Sequence, residues 1–302
     1  MILLTACTDV QEACAESLTD SQTGTVVRDI SIHSDILGRN MLYSVYLPAG
    51  YTSSKEYPVL YLLHGYGGDQ NDWWVFDDLA DDADAMISSG EIPEMIIVTP
   101  DGGTWMYIDN CYGNGINYEQ YFFKELMTDA ESRYSIRRNR QSRAIGGFSM
   151  GGYGALRYGV MYHYMFCYVY AMSSVIGGYG ATDMGDIITD YSPSELPGIT
   201  LECGDRDYFT YDNREFSQQL TQLGIAHEHI ERDGGHDWTF WSACTPKILR
   251  KVGGLFRNSS TGIASVRPSD KQTKGIYSLD GRPREKMQQG INIVDGRKVA
   301  IK

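Results

Sequence analysis

The sequence has few cysteines, a deficit of positive charge and no long hydrophobic run. Its six cysteines include no C-x-x-C pair and no Cys/His cluster with zinc spacing, so no metal site is predicted. Cys203 and Cys244 could pair in an oxidising compartment, but the sequence does not establish that bond. No apolar run is long enough to span a bilayer. The formal net charge of −13 repels phosphates, so nucleic acid is not an expected partner.

The charge is distributed unevenly along the chain. Between Ser259 and Lys302, 9 Lys/Arg stand against 4 Asp/Glu, a net charge of +5 that leaves −18 for the remainder. Residues 258–274 are predicted to be a polar linker, and residues 275–302 hold short strand-like runs with Asp-Gly turns at 280–281 and 295–296. Because about 28 residues bury little core, this piece is predicted to be an appendage or a processing signal.

Residues 1–24 are predicted to be a leader. Leu4-Thr5-Ala6-Cys7 resembles the end of a bacterial lipoprotein signal, in which the cysteine carries the lipid. The apolar run Met1–Ala6 is shorter than the ~7–15 residues of a signal core. Two interpretations stay open: a truncated signal with a lipid anchor at Cys7, or an accidental match.

Strand-like and helical patterns alternate between residues 25 and 257. Two runs alternate apolar and polar residues as half-buried antiparallel strands do: Val26–Ile32 and Met41–Leu47. Further strands are predicted at Pro58–Leu63, Met95–Val98, Arg143–Gly146, Phe166–Ala171, Ile199–Cys203 and His227–Glu231. Helices are predicted at Asp72–Ser88, Tyr118–Tyr134, Gly151–Tyr158, Arg214–Leu223 and Trp238–Val252, the last with a break at Pro246. The pattern predicts an α/β fold, a mostly parallel sheet with helices on both faces.

The strongest local motif is Gly147-Phe148-Ser149-Met150-Gly151, between a predicted strand and a predicted helix. A turn this tight requires small residues two positions before and after the serine, and it lifts the hydroxyl out of the sheet. It also points the Met150 backbone N–H and the helix N-terminus at the space above the serine. This context predicts that Ser149 is a nucleophile and that Met150 supplies one donor of an oxyanion hole.

A serine hydroxyl needs a base and an orienting acid to become a good nucleophile. His236 is the predicted base, because it follows the last core strand in a glycine-rich loop. Asp207 follows the strand Ile199–Cys203, and the order Ser149, Asp207, His236 is that of α/β-hydrolases. Asp205 is the alternative acid, with a structural role in pairing with Arg206 or capping the turn.

The second oxyanion donor is expected from the loop after the strand that ends at Leu63. That loop is His64-Gly65-Tyr66-Gly67-Gly68, and the Tyr66 backbone N–H is the predicted donor. His64 is interpreted as a structural histidine that braces the loop.

Together these motifs resemble the esterase D-like α/β-hydrolases, and within them carbohydrate esterase family 1, which holds feruloyl and acetyl xylan esterases. The matching pieces are Val45–Pro48, Gly50-Tyr51, Tyr61–Gly65, Pro100–Gly103, Gly147–Gly152, Gly204–Asp207 and Gly235–Trp238. The resemblance spans about residues 25–257 and implies an α/β-hydrolase fold. The run from Gly275 to Val299 is similar to tails of exported Bacteroidetes proteins that act as sorting or attachment signals.

The resemblance implies a secreted or cell-surface serine esterase that needs no cofactor. Its expected substrates are feruloyl or acetyl esters of plant cell-wall polysaccharide (xylan) or small esters, and its tail is expected to engage export machinery. The alternatives are an S-formylglutathione hydrolase-like thioesterase and a non-catalytic carbohydrate-binding homologue. Trp105, Tyr107 and Trp238 are the predicted substrate-binding residues, with a place in the core as the alternative for each.

Overall fold

The computed structural model describes residues 23–261 and, in the tail, residues 276–277, 283–284, 290–294 and 297–301. The chain divides into two compact units, Met1–Ser259 and Ser260–Lys302. The predicted leader up to residue 22, with Cys7, lies outside the described residues, as do both Asp-Gly turns and residues 262–274 of the predicted linker. Residues 258–261 of that linker are instead helical, because the last helix continues past residue 257.

An eight-stranded sheet forms the centre of the first unit, in the order β1-β2-β4-β3-β5-β6-β7-β8. The strands are β1 (Thr25–Ser34), β2 (Arg39–Leu47), β3 (Val59–Leu63), β4 (Ile96–Pro100), β5 (Arg143–Phe148), β6 (Tyr168–Met172), β7 (Gly198–Gly204) and β8 (His227–Arg232). The pairs β1–β2 and β2–β4 are antiparallel, and the other pairs are parallel. The predicted α/β class is confirmed.

Helices cover both faces of this sheet. They are α1 (Asp72–Val75), α2 (Leu79–Ser88), α3 (Tyr118–Tyr121), α4 (Met127–Arg133), α5 (Met150–Met161), α6 (Met184–Ile188), α7 (Thr210–Gln222), α8 (Trp238–Ser242) and α9 (Thr245–Thr261), with a π turn at Phe122–Leu126 joining α3 to α4. Every residue of β3 to β6 is buried. Burial on both sides explains why these strands are continuous apolar or glycine-rich runs.

Two predicted helices are broken where the sequence suggested one. The run Asp72–Ser88 divides at Phe76–Asp78, and Phe76 is 57 % exposed rather than part of the buried stripe. The run Trp238–Val252 divides at Ala243-Cys244 rather than at Pro246. Pro246 is the second residue of α9, in the first turn, where a missing N–H costs no intrahelical hydrogen bond.

The described part of the tail is an antiparallel sheet in the order β10-β9-β11-β12. Its strands are β9 (Ile276–Tyr277), β10 (Pro283–Arg284), β11 (Gly290–Val294) and β12 (Arg297–Ile301). Three of them overlap the strand-like runs predicted at Ile276–Leu279, Ile291–Val294 and Val299–Ile301, and β10 was not predicted. No helix in the described range 23–261 is long and apolar enough to cross a bilayer.

Candidate active site

Ser149 lies in a sharp turn between β5 and α5. Its backbone has φ 57° and ψ −118°, a conformation that non-glycine residues rarely adopt. A Cβ at Gly147 would lie 2.6 Å from the backbone of Gly151, and a Cβ at Gly151 would lie 2.3 Å from the carbonyl oxygen of Leu63. Both positions therefore require glycine, because the turn packs against its own chain and against the end of β3.

Neighbouring backbone groups hold this turn in place. The Ser149 N–H donates to the Met172 carbonyl at the end of β6, at 2.9 Å. The Ser149 carbonyl accepts from the N–H groups of Tyr153 and Val175, each at 3.2 Å. The strained conformation is thus fixed from three directions, and the serine is only 8 % exposed.

His236 joins Ser149 to Asp207. Its Nε2 lies 2.9 Å from the Ser149 Oγ, and its Nδ1 lies 2.8 Å from Asp207 Oδ2. The sequence separations are 87 and 29 residues, so the fold brings the three side chains together from the ends of β5, β7 and β8. A hydroxyl, an imidazole and a buried carboxylate in this series can activate the hydroxyl by removing its proton.

The surroundings of Asp207 keep its carboxyl ionised. Burial alone would raise its pKa, but hydrogen bonds from His236, from the Phe209 backbone N–H and from Ser173 outweigh burial, so the pKa is lowered. The Phe209 N–H lies 2.9 Å from Asp207 Oδ1. An acceptor that stays charged fixes the imidazole tautomer that leaves Nε2 free to take a proton.

Asp205 lies apart from this series. It is exposed, and its Oδ1 accepts from the Gly234 N–H at 3.2 Å. The expected pairing of Asp205 with Arg206 is wrong, since Arg206 forms its ion pair with Asp233. Asp205 instead braces the loop that carries His236.

The loop after β3 approaches Ser149 closely. A Cβ at Gly65 would meet the Phe148 ring at 2.6 Å and the Ser149 Cβ at 3.5 Å, so only glycine allows this approach. Tyr66 follows, and its side chain is 69 % exposed. Tyr66 and Met150 border the same cavity as Ser149, and the Met150 N–H is in the first turn of α5, where helix N–H groups lack intrahelical acceptors.

His64 is a brace for this loop, as interpreted from the sequence. It is 1 % exposed, its Nδ1 lies 2.6 Å from the Gly65 carbonyl oxygen, and its Nε2 accepts from the Gly102 N–H at 2.7 Å. With both nitrogens engaged, the ring is not available to a substrate.

Two cavities adjoin Ser149. The first, of about 350 Å³, is here called the Tyr179 cavity; its lining is Tyr66, Met106, Tyr112, Ser149, Met150, Val175, Tyr179, Tyr208 and Phe209. The second, of about 470 Å³, is called the Trp238 cavity; its lining is Gly65, Tyr66, Gly67, Gly68, Asp72, Phe76, Phe148, Ser149, Tyr208, His236, Trp238 and Trp241. Both volumes fall within the roughly 300–1,000 Å³ of small-molecule sites.

Two of the three predicted substrate-binding residues do not line these cavities. Tyr107 is fully buried and its hydroxyl donates to the His64 carbonyl oxygen at 3.1 Å, so its predicted contact with substrate is wrong. Trp105 packs on the core beside Tyr118 and under the Arg39 guanidinium, 4.3 Å from the ring centroid. Trp238 does line a cavity, together with His236.

Sequence reasoning found some of the residues that border Ser149 and missed others. Tyr112 belongs to the loop Asp101–Gly115, which is expected from the sequence to overhang the site edge, and it lies at the Tyr179 cavity, where it is 72 % exposed. Tyr179 and Tyr208, 55 % and 70 % exposed at the same cavity, were not predicted. The excess of tyrosine, 22 against 9 phenylalanines, was the available signal, but it gives no positions. Ser173, which contacts Asp207, carried no motif.

Comparisons with known proteins relate the chain to esterases. The family model "Putative esterase" matches residues 34–186, half of the 302-residue chain. A solved structure of a ferulic acid esterase superposes with a TM-score of 0.72 at 32 % identity, covering 78 % of this chain and 99 % of that one.

Two further relatives have a lower sequence identity of 26 %. An acetyl esterase of Caldicellulosiruptor saccharolyticus is 26 % identical over 261 residues, 72 % of this chain and 94 % of that protein. An endo-1,4-beta-xylanase/feruloyl esterase of Xylanibacter ruminicola is 26 % identical over 234 residues, 75 % of this chain. The chain spans only 31 % of that longer protein.

Proposed function

Since the chain belongs to the esterase family and is a carboxylic ester hydrolase, we propose that it hydrolyses feruloyl esters of plant cell-wall xylan through an acyl-enzyme on Ser149. The observation that carries the mechanism is the continuous series Ser149 Oγ, His236 and Asp207, at 2.9 Å and 2.8 Å. An intact series of this kind argues against a non-catalytic carbohydrate-binding protein.

This geometry supports the following reaction. His236 Nε2 takes the Ser149 proton as Oγ bonds to the ester carbonyl carbon, and the resulting oxyanion accepts hydrogen bonds from the Met150 and Tyr66 N–H groups. The tetrahedral centre then breaks its bond to the alcohol oxygen, which leaves with the proton from His236. Water repeats the sequence on the acyl-enzyme and releases the acid. No step requires a cofactor.

The Tyr179 cavity supports a feruloyl rather than an acetyl group. Met106, Val175 and Phe209 are at most 8 % exposed and form apolar walls, and the Tyr112 and Tyr179 rings stand at the rim. A flat aromatic acid fills such a slot and stacks on its rings, a gain of ~0.5–1.5 kcal/mol beyond burial. An acetyl methyl would leave most of about 350 Å³ to water.

A panel of esters tests the acyl preference. We expect kcat/KM for methyl ferulate to exceed that for methyl acetate, because the aromatic acid retains its cavity contacts in the transition state. Acetylated xylan and S-formylglutathione complete the panel. Release of acetate from xylan without ferulate turnover would leave an acetyl xylan esterase, and turnover confined to S-formylglutathione would make the protein a thioesterase.

Replacement of the nucleophile tests the mechanism. Ser149→Ala removes the attacking oxygen, and we expect kcat on methyl ferulate to fall by at least ~10³-fold while binding and the oxyanion donors remain. The measurement is ferulate release under saturating substrate. A variant with a tenth of the original rate would refute the acyl-enzyme on Ser149.

The two ends of the chain bear on where the enzyme acts. We infer that residues 275–302 direct export or surface attachment, since their net basic charge differs from the acidic remainder and their sequence is similar to sorting tails. We further propose Cys7 as a lipid anchor, since Leu4-Thr5-Ala6-Cys7 resembles the end of a lipoprotein signal. A secreted or cell-surface enzyme would meet xylan directly.

A further inference from the structure

The two cavities at Ser149 differ in their relation to the base. Ser149, Tyr66 and Tyr208 border both. His236 borders the Trp238 cavity and is absent from the lining of the Tyr179 cavity. The two halves of an ester bound at Ser149 therefore have two different environments.

Proton transfer decides which half of the ester enters which cavity. The departing alcohol oxygen must receive its proton from His236 Nε2, so the alcohol lies on the histidine side of Ser149. Resting on the proposed function, we propose that the Trp238 cavity is a binding site for the alcohol half of the substrate, the pentose ring that carries the feruloyl ester. The acyl half then occupies the Tyr179 cavity.

The walls of the Trp238 cavity offer an apolar surface to one face of a sugar ring. Trp238 and Phe76 have ring centroids 5.5 Å apart with a 32° angle between their planes. Trp238 is held from behind by Trp73 at 5.5 Å and by Phe148 at 4.8 Å, both edge-to-face. Phe76 is 57 % exposed, so its ring and the adjacent Trp238 ring leave apolar surface in the cavity lining accessible to a ligand.

A sugar ring also has hydroxyl groups that need hydrogen-bond acceptors. Asp72 offers such an acceptor in the Trp238 cavity. This carboxylate lies against the glycine loop, where a Cβ at Gly68 would come within 1.9 Å of its Oδ2. Burial raises the pKa of Asp72, although His64 and the Asp69 backbone N–H oppose the rise. A half-buried carboxylate gains by accepting hydroxyl hydrogen bonds, which are stronger when the acceptor is charged.

The test compares one acid on two alcohols. Ferulate esterified to arabinose places a pentose in the Trp238 cavity, and methyl ferulate leaves that cavity empty. We expect Phe76→Ala and Asp72→Asn each to lower the ratio of kcat/KM for feruloyl-arabinose to kcat/KM for methyl ferulate by about 5- to 10-fold. Phe76 is exposed, so its replacement is not expected to impair folding.

Two matched controls accompany these variants. Val75→Ala changes the preceding residue, which is 59 % exposed and does not line the cavity, and Asp212→Asn changes an exposed carboxylate in a cavity away from Ser149. Both should keep the wild-type ratio. Equal losses on the two esters in Phe76→Ala and Asp72→Asn, or an unchanged ratio, would overturn the assignment.

Failure of the proposed function gives a different result. If wild-type protein releases no ferulate from either ester, the feruloyl proposal is wrong. The same ratio measured between acetylated arabinose and methyl acetate then decides the role of the cavity, because the alcohol site does not depend on the acid. A loss of preference for the sugar ester would support the assignment in that case also.

Discussion

At the scale of single residues, neighbouring side chains of the same type differ in burial and in contacts at the candidate site. Asp205 and Asp207 follow the same strand, yet one is exposed and the other has a buried side chain bonded to His236. Tyr107 is buried, and the nearby Tyr112 is 72 % exposed at the cavity. The two members of each pair share a residue type and lie close together in the sequence. They differ in burial and in the side chains that they contact.

This difference yields a prediction for the two carboxylates. Asp207→Asn should lower kcat by ~10⁴-fold, because an amide no longer fixes the His236 tautomer or stabilises the imidazolium. Asp205→Asn should stay within about threefold, as expected for an exposed residue whose amide oxygen can still accept from Gly234. Ferulate release at saturation measures both. Equal losses, or the reverse order, would move the orienting role to Asp205.

At the scale of elements, the helices on one face of the sheet meet beside the Trp238 cavity. The segment between α1 and α2 contacts the start of α9, where the Thr245 hydroxyl donates to Asp77. Burial raises the pKa of Asp77 to about 6, with hydrogen bonds from Thr245 and Ser242 limiting the rise. Ionisation of Asp77 at this junction therefore lowers the free energy of unfolding.

We therefore expect removal of the Asp77 charge to increase thermal stability in a pH-dependent way. The folded-state pKa of about 6 exceeds the ordinary value of 3.8, so the contribution of Asp77 to stability is full below pH 3.8 and is lost as pH rises through 6. Asp77→Asn should therefore raise Tm at pH 7.5 and change it little near pH 4. Thermal unfolding across that range is the measurement, with the exposed neighbour Asp78→Asn as control. A gain at pH 4 equal to that at pH 7.5 would contradict the argument.

At the scale of the whole molecule, the catalytic sheet and the tail belong to different compact units. Ser149, Asp207 and His236 and all eight strands of the large sheet lie in the first. The second has a four-stranded sheet of its own. The described residues that form the candidate site therefore belong to the first unit.

Removal of the tail tests whether it is needed for export and not for catalysis. A chain that ends at Thr261 should keep its kcat on methyl ferulate and its Tm, because the described strands of the tail pair with one another in a sheet of their own. In the native cell the same chain should remain inside. A fall in Tm of several degrees would show that the tail stabilises the catalytic unit, and unchanged export would refute its role as a signal.

The sequence by itself determined the class of fold and the order of the candidate triad. Glycines at 147 and 151 around Ser149 form a motif that is visible in five consecutive residues, and in the fold a Cβ at either position would meet backbone within 2.6 Å. Continuous apolar runs identify buried parallel strands because burial on both faces leaves no place for polar side chains. These signals lie within a few residues of each other, so they can be read without knowing the fold.

Only the tertiary structure decided which aromatic side chains line the two cavities at Ser149. The segment from Met106 to Tyr112 holds several non-glycine residues at positive φ, so its side chains follow neither a helical nor a strand period. Trp105 and Tyr107 consequently turn to the core, and Tyr112 turns to the cavity. Tyr179 and Tyr208 reach the same cavity from chain segments far apart in sequence. Their direction depends on contacts between distant segments, which no local pattern encodes.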